Sequence, residues 1–109
     1  MMKNRLSLKQ MKNEIEAQEH TALYLYTPMC GTCMVAGRMV DVTEKLFPAF
    51  HFMKADLNYI PSIADEHSVE SVPCLLLFKK GTLMKKIYAF HSVPFLHEQM
   101  NDLIGADSV

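Results

Sequence analysis

The chain has 109 residues, half of them hydrophobic and 21% charged, with a net charge of −1 and an isoelectric point near 6.5. That length suits one domain over residues 1–109 that buries its own core, and the sequence offers no basic patch that argues for nucleic acid and no polybasic run that argues for anionic lipid. Lys9, Lys12, Glu14 and Glu16 break up the segment after Leu6, so no signal-peptide core and no membrane span is expected; a cytoplasmic protein with mostly reduced thiols follows.

The elements alternate between helical and strand periodicity. Ser7 and Gln10 form a capping-box pattern, and Leu8, Met11 and Ile15 continue it as a helix to about Glu19. Residues 21–27 are β-rich and apolar on both faces, as a buried central strand requires, and Pro28 stops them. From Gly31 the pattern is helical, with Val35, Met39, Val42 and Leu46 on one face, and Pro48 ends it. Residues 50–56 read as a second strand, and Pro61 opens a short helix through Ile63, Ala64 and His67. Residues 74–79 form an apolar strand, Lys80-Gly81-Thr82 a turn, and Leu83 to Phe90 an antiparallel return. Ser92 caps a last helix that buries Leu96, Met100, Leu103 and Ile104 and stops at Gly105. The order is α-β-α-β-α-β-β-α, with room for a short strand before residue 7, and it predicts an α/β fold with a central mixed sheet and helices on both faces.

Cys30-Gly31-Thr32-Cys33 stands where the first strand gives way to a helix. There the unpaired N–H groups of the first turn and the positive end of the helix dipole favour a thiolate on Cys30. Two intervening residues place Cys33 one turn later, close enough to close a disulfide. The chemistry expected is dithiol exchange: Cys30 attacks a disulfide, and Cys33 resolves the mixed disulfide. A zinc site is the competing use of a Cys-x-x-Cys pair. It needs four ligands, and His91 and His97 stand too far along the chain for finger spacing. No metal and no cofactor beyond the Cys30–Cys33 disulfide is expected.

In order along the chain, Cys30-Gly31-Thr32-Cys33, the segment 54–58, Val69 ahead of Ser71-Val72-Pro73, and the segment 75–81 together resemble the thioredoxin family over roughly residues 7–105. The resemblance implies a thioredoxin-like fold and a Val72–Pro73 cis bond facing the cysteines. It also implies substrate contacts at Met29, Gly31, Thr32, Val72 and Pro73. The implied partners are disulfide-containing proteins, with a reductase or small thiol as electron donor. Departures accompany it. Met29 replaces the family's tryptophan, and Gly31-Thr32 replaces its Gly-Pro spacer. Tyr24 stands at the position of its buried aspartate, Arg38 at its helix-kinking proline and Ala89 at a rim glycine. Lys54 matches the family's partner lysine but lacks the acid at position 24. Gly37, beside Arg38, allows a bend or a close approach to the sheet. Thr27-Pro28-Met29-Cys30 is also similar to glutaredoxins, which makes a glutaredoxin-like reductase the alternative within the class. A non-catalytic scaffold of the same fold is the alternative outside it, and a metal or cluster shared by two chains a third. Cys74 is expected as a small buried hydrophobe rather than a third redox thiol.

Overall fold

The computed structural model describes residues 6–106. Helix α1 (Leu8–Ala17) starts on the capping box read from the sequence: the Gln10 N–H donates to Ser7 Oγ at 3.1 Å, and the Ser7 N–H donates to Gln10 Oε1 at 2.8 Å. It ends two residues short of Glu19, where Gln18 turns extended to lead into β1 (His20–Tyr26). Then follow α2 (Gly31–Leu46), β2 (His51–Asp56), α3 (Ser62–Glu66), β3 (Cys74–Lys79), β4 (Thr82–Ile87) and α4 (Val93–Ala106). The short strand allowed before residue 7 falls mainly on residues outside those described.

The sheet order is β2-β1-β3-β4, with β1 parallel to β2 and the other pairs antiparallel. β1 is therefore central, as its two-faced apolar sequence requires. Ala22 and Tyr24 point to one face, where Ala36 and Val40 of α2 and Leu96, Met100 and Leu103 of α4 complete a core. Leu23 and Leu25 point to the other, against Met11 and Ile15 of α1 and Ile63 of α3. β3 divides in the same way, with Leu75 and Leu77 on the first face and Cys74, Leu76 and Phe78 on the second. Five leucines of these two strands are 0% exposed, and each contributes about 1.5–3 kcal/mol of burial. This is the mixed sheet with helices on both faces that the element order predicts.

Three further expectations are corrected. The Val35, Val42 and Leu46 stripe of α2 faces outward, at 54%, 48% and 51% exposure, and only Met39 is partly covered. The face that meets the sheet is Cys33, Ala36, Val40 and Thr43. Periodicity defines a stripe but not its direction, and the Tyr24 ring on the sheet leaves room only for small side chains above it. The β4 strand ends at Ile87, not Phe90, because its partner begins at Cys74: Leu75↔Ile87 is the last pair, and Pro73 has no N–H to continue the ladder. Helix α4 passes through Gly105 to Ala106. The hairpin turn falls where it is expected but is one residue shorter, because Thr82 already pairs with Lys79 in β4. Lys80 and Gly81 have φ of 51° and 83°, the two positive values a tight two-residue turn takes.

Candidate active site

Cys30 is the N-cap of α2 and sits in extended backbone at φ −90°. The preceding turn is closed by the Cys30 N–H donating to Thr27 O at 3.2 Å. Pro28 and Met29 occupy the turn, and Met29 stands 91% exposed beside the cysteine. Cys30 and Cys33 are joined as a disulfide with Cα atoms 5.2 Å apart. The Cys33 N–H points at Cys30 Sγ at 3.2 Å, Thr32 Oγ1 lies 3.4 Å from the same sulfur, and Val72 O lies 3.8 Å from it. A thiolate on Cys30 would therefore meet one backbone donor and one hydroxyl donor at a helix N-terminus, three features that favour negative charge. The two cysteines differ in access. Cys30 is partly exposed, whereas Cys33 is buried at 5% exposure.

The Val72–Pro73 bond is cis, and both residues are half-buried. The site residues read from the sequence thus divide. Cys30, Cys33, Thr32 and Val72 meet at one sulfur, and Pro73 follows in the same loop. Gly31 is exposed, with open space where a side chain would stand.

Behind Cys33 the departures from the family pattern meet. Tyr24, 3% exposed, donates from its hydroxyl to Cys33 O at 2.5 Å. Its ring stacks on Tyr26 at 5.5 Å and meets the edge of Phe90 at 5.9 Å. Burial, aided by the charges of Tyr26 and Asp41, pushes the Tyr24 phenol up to about 12. It is a brace for the first turn of α2, not a base. Gly37 lies over the same ring, where a Cβ would stand 3.6 Å from Tyr24. The close packing weighed for Gly37 is present, without being so tight as to demand glycine.

Lys54 has an acid after all. It is the β2 register partner of Tyr24, and its Nζ reaches Asp41 Oδ1 of α2 at 2.6 Å. Comparison at position 24 alone missed this, because the carboxylate arrives from the helix. Tyr24, Tyr26, Cys33, Met34, Gly37, Arg38, Asp41 and Lys54 line a cleft of about 350 Å³. Met34, Gly37, Arg38 and Asp41 follow the i, i+3, i+4, i+7 spacing of one helix flank, the signal that could have located Asp41.

Cys74 is free and 0% exposed, paired in register with Leu25. Burial pushes its thiol up to about 11, against the opposing charge of Lys86. It packs as the small hydrophobe the sequence suggests. His91 packs edge-on against Phe95, and the His97 ring lies tilted against Phe47. Among the described residues no group of three or more His, Cys, Asp or Glu could hold a metal ion, and no helix is long and apolar enough to cross a membrane.

The family model described as Thioredoxin matches residues 3–102. The chain is similar to thioredoxin-like protein YusE of Bacillus subtilis (strain 168), at 49% identity over 76 residues, 70% of this chain and 72% of that protein. It is similar to thioredoxin-2 of Pyricularia oryzae at 24% identity over 84 residues, which span 77% of this chain and about half, 49%, of that protein. The crystal structure of oxidised mitochondrial thioredoxin 3 from Saccharomyces cerevisiae superposes with a TM-score of 0.81 at 26% identity, over 88% of this chain and 90% of that one. These matches favour thioredoxin over the glutaredoxin likeness of residues 27–30. With its cysteine pair at disulfide distance, the chain is a thiol–disulfide oxidoreductase, and it belongs to the thioredoxin family.

Proposed function

We propose that this chain, acting as one domain over residues 1–109, reduces disulfides in protein substrates, with Cys30 as the attacking and Cys33 as the resolving thiol. The observation that carries the assignment is the difference in access: Cys30 is partly exposed at the start of α2, while Cys33 is buried. An incoming substrate sulfur reaches the first and not the second. Attack by the Cys30 thiolate forms a mixed disulfide and releases one substrate thiolate. Cys33 then attacks Cys30 Sγ; the Cys30–Cys33 bond forms and the second substrate thiolate leaves.

An extended substrate backbone lies against Val72 and Pro73, whose loop faces Cys30. Met29, Gly31 and Thr32 form the remaining contact surface. Exposed Met29 supplies a flexible apolar contact in place of a rigid indole, which suits substrates of varied shape. The redox group is the cysteine pair itself and no other cofactor is required, so electrons come from a reductase or a small thiol. The cytoplasm, where such donors keep thiols reduced, is the compartment that fits. Neither nucleic acid nor membrane takes part.

Trapping tests the roles. Cys33→Ser, mixed with a disulfide-bonded protein, accumulates a covalent adduct that dithiothreitol releases, and Cys30→Ser does not. Adduct formation by Cys30→Ser instead would reverse the roles. A redox titration of the unmodified protein gives the direction: a two-electron couple near −270 mV supports reduction, and one near −120 mV would make the protein an oxidant.

A further inference from the structure

The resolving step needs a thiolate on Cys33, and the cleft behind it holds few groups that could take the proton. Those facing it are Tyr24 and Tyr26 from β1, Arg38 and Asp41 from α2, and Lys54 from β2. Arginine stays charged in proteins and offers no lone pair. Phenols are already protonated near neutral pH, and the Tyr24 proton is committed to Cys33 O. Lys54 donates to Asp41 at 2.6 Å. Among the described residues Asp41 is left as the only carboxylate lining the cleft, and Lys54 meets it at Oδ1.

Resting on the assignment of Cys33 as the resolving thiol, we infer that Asp41 receives the Cys33 proton through water in the cleft and that Lys54 holds Asp41 in place for this. The cleft volume of about 350 Å³ accommodates such water, since each molecule occupies roughly 30 Å³ in the liquid. The balance is simple. The Cys33 S–H proton passes to water, and a water proton passes to the Asp41 carboxylate. The Cys33 thiolate attacks Cys30 Sγ of the mixed disulfide, the bond from Cys30 to the substrate sulfur breaks, and its electron pair leaves on the substrate thiolate. Asp41 then returns its proton to solvent, to which it is 55% exposed. It touches neither sulfur and is a positioning residue for the proton. A carboxylate absent from the sheet at position 24 is in this way restored from the helix.

The test separates the two thiols in time. The fully reduced protein is mixed with one equivalent of dithiobis(nitrobenzoate), and release of the coloured thiolate is followed by stopped flow from acid to alkaline pH. The first equivalent reports attack by Cys30 and the second reports resolution. Cys74, fully buried, adds no native phase. In Asp41→Asn the second phase slows about tenfold or more at neutral pH, a threshold set below the roughly 100-fold or more usual for proton transfer catalysis because water intervenes. Its rate then follows hydroxide, about tenfold per pH unit. The first phase is unchanged, and Asp41→Glu restores the second. A second phase in Asp41→Asn with the wild-type rate and pH profile would overturn the proposal, as would an equal slowing of both phases. The control is Cys33→Ser. If it loses the second phase while Asp41→Asn keeps it, only the role of Asp41 falls. If Cys33→Ser itself keeps the second phase, the resolving assignment falls and the proposal with it.

Discussion

Replacing Tyr24 by phenylalanine isolates one buried hydrogen bond. The ring remains stacked on Tyr26 and against Phe90, so little apolar burial is lost. What disappears is the 2.5 Å bond from the hydroxyl to Cys33 O. A net contribution of about 0.5–1.5 kcal/mol is expected for it. With a urea slope of about 1–3 kcal/mol/M, the unfolding midpoint at neutral pH falls by roughly 0.5 M. Alkali supplies the stricter test. Folding raises the Tyr24 pKa from 10.0 to about 12, so the folded state holds the phenol proton more tightly than the unfolded chain does. The stability linked to that proton is complete below pH 10 and is lost as pH rises toward 12. Two pKa units correspond to at most about 2.7 kcal/mol. The wild type should therefore begin as the more stable protein and lose its lead between pH 10 and 12, a window in which Tyr24→Phe lacks this titration. Urea unfolding of both oxidised proteins at neutral pH and at several alkaline values measures the difference. A difference that stays constant across that window would refute the account of Tyr24 as a buried, proton-holding brace, and so would equal midpoints at neutral pH.

Two further substitutions probe the surroundings. Gly37→Ala places a Cβ at ordinary contact distance, 3.6 Å, from the Tyr24 ring, and the alanine should raise stability by up to about 1 kcal/mol in thermal unfolding through helix propensity alone; a loss of stability would show that Gly37 serves a closer approach than this geometry has. Cys74→Ser puts a hydroxyl at a 0% exposed position among Leu25, Leu76 and their neighbours, at a cost of about 1–3 kcal/mol, yet insulin-type disulfide reduction per folded molecule should stay at the wild-type rate, which a redox role for Cys74 would not allow.

The local rules carried most of the fold. Capping at Ser7, the two-faced apolar run of β1, the prolines at 28 and 48 and the Lys80-Gly81 turn each act within a few residues, and each is found within a residue of where the sequence puts it. The errors arose where a distant partner decides. β4 is cut short at Ile87 by what happens at Pro73, fourteen positions earlier in the chain. The outward stripe of α2 is an error of the same kind. Val35, Val42 and Leu46 are the more hydrophobic set, but the sheet beneath carries the Tyr24 ring and accepts Ala36 and Gly37 over it. The cysteines were readable because strand, turn and helix are contiguous there.

Asp41 shows why the remainder of the site was not. A position-by-position comparison asks whether residue 24 is an acid, and the answer is a tyrosine. The proposed proton route, however, calls for a carboxylate near Lys54 and open to the space beside Cys33, and any element that borders that space can supply it. Lys54 and Tyr24 are register partners on adjacent parallel strands, so a helix crossing above them presents its flank to both. Tyr24 fills the inner part of that space and bonds to Cys33 O, which leaves the outer part to Arg38 and Asp41. The bulk at position 24 and the acid at position 41 are two consequences of one arrangement. A tyrosine at 24 needs a small residue above its ring, which Gly37 is, and Asp41 follows Gly37 by one helical turn on the same flank, within reach of Lys54. On this argument Tyr24→Asp alone would not recreate the family's buried acid. It would open a cavity beneath Gly37 and set a second carboxylate beside the Lys54–Asp41 pair, with one lysine to serve both.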